Sequence, residues 1–139
     1  MKVQNCIFFQ LTKASQAGSG FWAKKVEHLS VTAAQAMVLN FLGEEDCVPS
    51  YILCRKLQIT SATMTGILDR LEKMDLIERR RHPDDRRAIL VCLTGQGLSH
   101  AREINGIMVE ANKEFLSQLG AKQSQNFRAL LKYLWMERS

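Results

Sequence analysis

The chain has 139 residues, 46% of them hydrophobic, which suits one domain with a real core, and its net charge of +5 tilts it toward polyanionic partners. Its four cysteines (Cys6, Cys47, Cys54, Cys92) form no CxxC pair and no metal-ligand spacing, so neither a metal nor a cofactor is expected. With no signal peptide and no long apolar run in view, the expectation is a cytoplasmic chain that keeps its thiols free and makes no use of a membrane.

Residues 5–29 read as a first helix, because Ile7, Phe8, Leu11, Ala14, Phe21, Trp22, Val26 and Leu29 roughly follow helical spacing. Gly18-Ser19-Gly20 interrupts the run, and glycines inside a helix cost about 1 kcal/mol each relative to Ala, so a kink or break is expected there. Thr32 is placed to cap a second helix with Ala36, Val38, Leu39 and Leu42 inward and Gly43 at its end. Residues 44–48 read as a loop. Pro49-Ser50 opens a short third helix over residues 51–57, and a tight turn at Gln58-Ile59 leads to Thr60 or Ser61 as the cap of a fourth helix ending near Met74.

That fourth helix is two-faced. Met64, Ile67, Leu68 and Leu71 fall at i, i+3, i+4 and i+7, while Ser61, Thr63, Thr65, Gly66, Asp69, Arg70 and Lys73 lie opposite. Hydroxyl side chains without bulk suit close approach into a groove, where they can meet phosphates or base edges, although such a surface alone is equally a solvated helix face. Residues 77–93 follow as a ribbon. Ile77, Arg79 and Arg81 alternate with Glu78 and Arg80, the turn His82-Pro83-Asp84-Asp85 follows, and Ile89, Val91 and Leu93 then alternate with Leu90 and Cys92. Arg79, Arg80, Arg81, Arg86 and Arg87 crowd this ribbon, and like charges on so short an element call for an external anion, first of all a nucleic-acid backbone. Two short helices, a tight turn and a basic ribbon together spell a helix-turn-helix with a wing.

Beyond the ribbon, Thr94 caps a long helix with Leu98, Ala101, Ile104, Ile107, Met108, Ala111, Phe115 and Leu119 along it, broken by Gly120. A last helix over residues 122–137 sets Phe127, Leu130, Leu131, Leu134 and Trp135 on a single stripe. The chain ends hold more apolar surface than a small winged-helix core covers, which implies a dimerisation layer. The expected fold is mainly α with a small two- or three-stranded β wing: a winged helix-turn-helix over residues 30–95, with dimerisation helices in residues 1–29 and 96–139 of a single domain.

The run LDRLEKMDLIERRRHPDDRRAILVCLTGQG resembles the signature of the multiple antibiotic resistance regulator (MarR) family of bacterial transcription factors. Its most specific part is Asp85-x-Arg87 followed by Val91-x-Leu93-Thr94, with Gly97 completing an LTxxG turn into the next helix. The resemblance implies a homodimeric winged helix-turn-helix protein on pseudo-palindromic duplex DNA, with recognition helices in major grooves and wings in flanking minor grooves. Carried over by residue, Ser61, Thr63, Thr65 and Arg70 look like the major-groove and phosphate contacts of the recognition helix, where Gly66, from its lack of a side chain, lets a backbone come near. Arg87 matches the wing arginine, with Arg81 and Arg86 beside it, and Asp85 matches the acidic residue that holds that arginine in place. Arginine suits a narrow, strongly negative minor groove, and hydroxyls on a helix N-terminal turn suit the major groove.

Members of the family usually release DNA when a small molecule or an oxidant acts near the junction of the dimer layer and the DNA-binding part. The segment Cys6-Ile7-Phe8-Phe9-Gln10-Leu11 is similar to the start of the organic-hydroperoxide sensors within this family, which makes Cys6 a candidate redox sensor. In the first turn of a helix its thiol would face the positive end of the dipole, which favours thiolate. Yet the tyrosines that hydrogen-bond the reactive thiol in those sensors are absent from this first helix, and a small apolar residue packed in an interface remains the alternative. Enzymatic activity is not expected, because His28, His82 and His100 fall on different elements without a recognisable nucleophile-base arrangement. The rival from another class is a winged helix used for protein-protein contact without a DNA target.

Overall fold

The computed structural model describes residues 1–136, over which the chain runs α1 (Ile7–Val26), α2 (Ala33–Glu44), β1 (Val48–Pro49), α3 (Ser50–Leu57), α4 (Ser61–Lys73), β2 (Ile77–Arg81), β3 (Ile89–Leu93), α5 (Gly95–Leu116) and α6 (Ala121–Met136). The expected end of the last helix, Glu137, lies outside the described residues. Threonines start α2, α4 and α5. The Thr32 hydroxyl accepts from the Gln35 N–H at 3.2 Å while the Gln35 side chain accepts from the Thr32 N–H at 3.0 Å, a reciprocal capping box. Thr60 accepts from the Thr63 N–H and Thr94 from the Gly97 N–H, and each such cap is worth about 1 kcal/mol.

Helix α1 departs from its expectation by running unbroken through Gly18 and Gly20. Both glycines keep a negative φ and face open space, and just beyond them Trp22 and Val26 are buried. The Trp22 indole N–H donates to the Ala33 carbonyl at 3.2 Å. Burying those two side chains is worth about 1.5–3 kcal/mol apiece, enough to outweigh the glycine penalty. The helix is nevertheless shorter than residues 5–29: 3-10 turns at Val3–Asn5 and Glu27–Leu29 bracket it.

The ribbon is part of a three-stranded antiparallel sheet in the order β1-β3-β2. The region read as a loop therefore ends in a strand, with Val48 opposite Val91 and Pro49 opposite Leu90. A two-residue strand has no periodicity to betray it, and only its pairing partner makes it one. The period-two alternation expected of the ribbon is also not kept. Val91, Cys92 and Leu93 are all buried, whereas Arg80, Arg81 and Ile89 are exposed, so burial follows distance from the body more than strand face. The Cys92 sulfur is joined to that of Cys47 (Cα–Cα 4.1 Å), which corrects the expectation that all thiols stay free. Cys6 and Cys54 are the unpaired cysteines.

Val38, Leu39 and Leu42 of α2, Leu53 of α3, Met64 and Leu71 of α4, and Ile104 of α5 form the centre of the core. Helix α2 packs against α5 and thereby joins the winged part to the helices of the chain ends. Helix α6 contains no buried residue, and Leu130, Leu134 and Trp135 stand open. Among the described residues, no helix is long and apolar enough to cross a membrane.

Candidate nucleic-acid interface

The turn between α3 and α4 is made by Gln58, which takes a left-handed conformation (φ 52°) and lets the Ile59 N–H reach back to the Cys54 carbonyl at 3.0 Å. This reversal sets α4 on the body through Met64, Ile67, Leu68 and Leu71, all buried, and turns Ser61, Thr63, Thr65, Gly66 and Arg70 outward. The opposition of faces read from the spacing is what the structure shows. A Cβ on Gly66 would meet nothing within 4 Å, so that point of the helix is open to close approach.

The hydroxyls differ in what they have left to offer. Thr60 donates its hydroxyl proton to the Thr63 oxygen at 3.0 Å, leaving the Thr63 O–H free to donate outward. Thr65 donates to the Ser61 carbonyl at 3.0 Å and presents its lone pairs as acceptors. A small cleft of about 140 Å³ brings Ser61 and Thr65 of α4 beside Arg79 and Ile89 of the ribbon, so helix and wing adjoin.

The arginines of the ribbon divide into two kinds. Arg79 reaches back to α4, where its guanidinium pairs with Asp69 and with Glu72, the latter at 3.3 Å. Its pKa is raised by the hydrogen bond to Asp69 and then that to Glu72. Arg80 pairs with Glu78, its Nε donating at 2.8 Å. These two need no external anion, contrary to the reading that the whole cluster does. Arg81, Arg86 and Arg87 are exposed and make no ion pair among the described residues, and the same holds for Arg70 on α4.

The tip that carries them is ordered by side chains acting on backbone. The Asp85 carboxylate accepts from the Arg87 N–H at 2.9 Å, so it steers Arg87 through the main chain. Nδ1 of His82 accepts from the Asp84 and Asp85 N–H groups at 3.0 and 3.1 Å, and the His82 N–H donates to the Ala88 carbonyl at 3.2 Å. The sequence sets His82 at the start of the turn without revealing a capping role; its position just before Pro83-Asp84, where turn N–H groups converge, is the signal for one.

Cys6 is half-buried and sits at the N-cap of α1 with extended backbone, one residue before the expected first turn, and its side chain makes no capping bond. An open, mostly apolar cleft of about 420 Å³ lies between α1, α2, α5 and α6, lined among others by Phe21, Trp22, Met37, Phe115 and Phe127. The Phe21 and Phe115 rings meet there at 5.2 Å between centroids. No group of three or more His, Cys, Asp or Glu among the described residues is placed to hold a metal ion.

The family model described as "MarR family" matches residues 31–89. The organic hydroperoxide resistance transcriptional regulator of Bacillus subtilis (strain 168) is 28% identical over 117 residues, covering 82% of this chain and 80% of the relative. A probable transcriptional regulator from Pseudomonas aeruginosa superposes with a TM-score of 0.89 at 30% identity, over 96% of this chain and 99% of its own. A cysteine-to-serine mutant of MarR from E. coli, solved in complex with operator DNA, has a TM-score of 0.84 at 25% identity, over 91% of both chains. With a winged helix-turn-helix between two helical ends, the family's own model over its centre and these relatives along nearly its full length, the chain belongs to the MarR family of transcriptional regulators, which are not enzymes.

Proposed function

We propose that the chain is a sequence-specific regulator of duplex DNA, a cytoplasmic homodimeric repressor on a pseudo-palindromic operator, released by a small molecule or an oxidant. The observation that carries this reading is the meeting of the open polar face of α4 with a ribbon whose tip holds the unpaired Arg81, Arg86 and Arg87. Ser61, Thr63, Thr65 and Gly66 take the major groove, Arg70 a phosphate, and the tip arginines the flanking minor groove, with Asp85 orienting Arg87. That the E. coli relative was solved with operator DNA supports duplex DNA as the partner.

Residues 30–95 act as the DNA-reading unit and residues 1–29 and 96–139 as the dimer layer. Support for the dimer comes from α6, whose apolar Leu130, Leu134 and Trp135 are exposed among the described residues. The aromatic cleft between the chain ends and α2 is the place for a small apolar effector, and Cys6 the residue for an oxidant.

The test is duplex binding across a salt series. If Arg70, Arg81, Arg86 and Arg87 of both protomers each neutralise a phosphate, log K falls against log salt with a slope of about −7. Salt-insensitive or absent duplex binding would return the wing to the protein-contact reading.

A further inference from the structure

The pairing of Cys47 with Cys92 follows from the register of the sheet. Val48 lies opposite Val91 and Pro49 opposite Leu90, so one step further along the antiparallel ladder places position 47 opposite position 92. Cys47 turns toward β3 through a left-handed backbone (φ 53°) that costs an L side chain about 1–2 kcal/mol. The preceding residue reinforces the docking: the Asp46 carboxylate oxygen accepts from the Cys47 N–H at 2.7 Å and from the Leu93 N–H at 2.8 Å. These hydrogen bonds do not involve sulfur, so they keep the two thiols apposed when the bond between them is open. The sulfurs differ in access, since Cys47 is exposed and Cys92 fully buried.

We propose that Cys47 and Cys92 form a redox-active dithiol that, on oxidation, ties the start of the helix-turn-helix to the middle strand of the wing. The bridge spans a sequence separation of 45 and encloses all of α3, α4 and β2. The oxidant is a low-molecular-weight disulfide. The Cys47 thiolate attacks one of its sulfurs, forming a mixed disulfide and expelling one small thiolate. The deprotonated Cys92 then attacks the Cys47 sulfur and expels the second small thiolate. Two protein thiols thus lose two electrons, and the small disulfide gains them and the two protons to become two thiols. Opening is the reverse, begun by an external thiolate at the exposed Cys47 sulfur with Cys92 as leaving group. Where reduced thiols prevail, such a bond forms on a signal. The inference concerns the sulfur pair and the wing, and stands apart from the DNA reading.

The intact chain, equilibrated with glutathione disulfide or with reduced glutathione, is denatured, alkylated and weighed. Oxidised protein takes up label at Cys6 and Cys54 alone, with a cross-linked peptide joining Cys47 to Cys92; reduced protein takes up label at all four cysteines. Native protein opens in millimolar dithiothreitol without denaturant. Closing the bridge raises the melting temperature by roughly 5–10 °C and slows hydrogen exchange at least about tenfold at Asp46, Val48 and the β3 amides. Cys47→Ser abolishes both redox effects, and Cys92→Ala does the same if the first variant folds poorly. The proposal is overturned if Cys47 and Cys92 are labelled in the oxidised protein, if the bridge opens only on unfolding, or if wing exchange is equal in the two states.

Discussion

Replacing Arg79 with Gln separates an arginine that masks charge from one that touches DNA. Arg79 is held by Asp69 and Glu72, both on the α4 element that the proposed function sends into the groove. Losing the guanidinium bares two carboxylates in each protomer. At about 8 Å from a phosphate, one carboxylate is repelled by about 0.5 kcal/mol at the dielectric of water and about 2 kcal/mol at an effective value near 20; screening over one Debye length reduces this to about 0.2–0.8 kcal/mol. Two carboxylates in each of two protomers then weaken binding by about 1–3 kcal/mol, roughly 5- to 150-fold. Arg87→Gln instead removes a contact and flattens the salt slope by about 1.8 per dimer. Fluorescence anisotropy on a labelled operator duplex, across a salt series, reads both quantities. Adding Asp69→Asn and Glu72→Gln to Arg79→Gln restores the affinity, and melting of the single variant changes little because partly exposed pairs contribute about 1 kcal/mol or less. If Arg79→Gln flattens the slope as Arg87→Gln does, and the neutral triple variant is not rescued, Arg79 is a phosphate contact and the masking argument is wrong.

Gly97→Ala places a Cβ 1.8 Å from the Leu76 carbonyl oxygen, a backbone atom that cannot give way, so a loss of more than about 3 kcal/mol is expected by denaturant titration. Gly18→Ala, facing open space in a continuous helix, raises stability by about 0.5–1 kcal/mol in the same assay; a loss would contradict the unbroken helix. His82→Ala removes the acceptor of two turn N–H groups and weakens duplex binding about three- to tenfold, by anisotropy, while far-ultraviolet circular dichroism stays unchanged. Leu134→Glu and Trp135→Glu together turn the proposed dimer to monomer in analytical ultracentrifugation.

What the sequence makes legible is what neighbours in sequence decide. Thr32, Thr60 and Thr94 cap helices because a hydroxyl meets an N–H three residues on, and the buried face of α4 is a matter of spacing. Features decided by contacts between elements escape. Val48–Pro49 is a strand only because β3 lies beside it, and the cysteine pair becomes visible only once that register is known. Arg79 reads as surplus charge until β2 is folded back along α4, which brings it to Asp69 and Glu72 across sequence separations of 10 and 7. Gly18 and Gly20 predict a break by local propensity, which the anchoring of Trp22 and Val26 overrides. At the candidate site, the open polar face of α4 and the exposed arginines of the tip are legible from residue type, and the capping role of His82 is not.

Strand β3 is where the two halves of the molecule exchange constraints. Its pairing with β2 sets the tip arginines, and Asp46 and Cys47 hold its other side to the end of α2. Thr94, the next residue, caps α5 through the Gly97 N–H, while its own hydroxyl donates to the Asp75 carbonyl beyond α4 at 2.7 Å and its N–H donates to the Leu76 carbonyl at 3.1 Å. One threonine therefore joins the wing, the end of α4 and the first turn of the helix that lines the aromatic cleft. Gly97 closes the joint so tightly that no side chain fits against Leu76, which leaves α5 little freedom to shift without moving β3 and the end of α4. A ligand changes DNA affinity only by its differential affinity for two arrangements of such a joint. On the proposed function, the close packing at Gly97 and the hydrogen bonds of Thr94 favour discrete arrangements, because close-packed joints shift in steps rather than continuously.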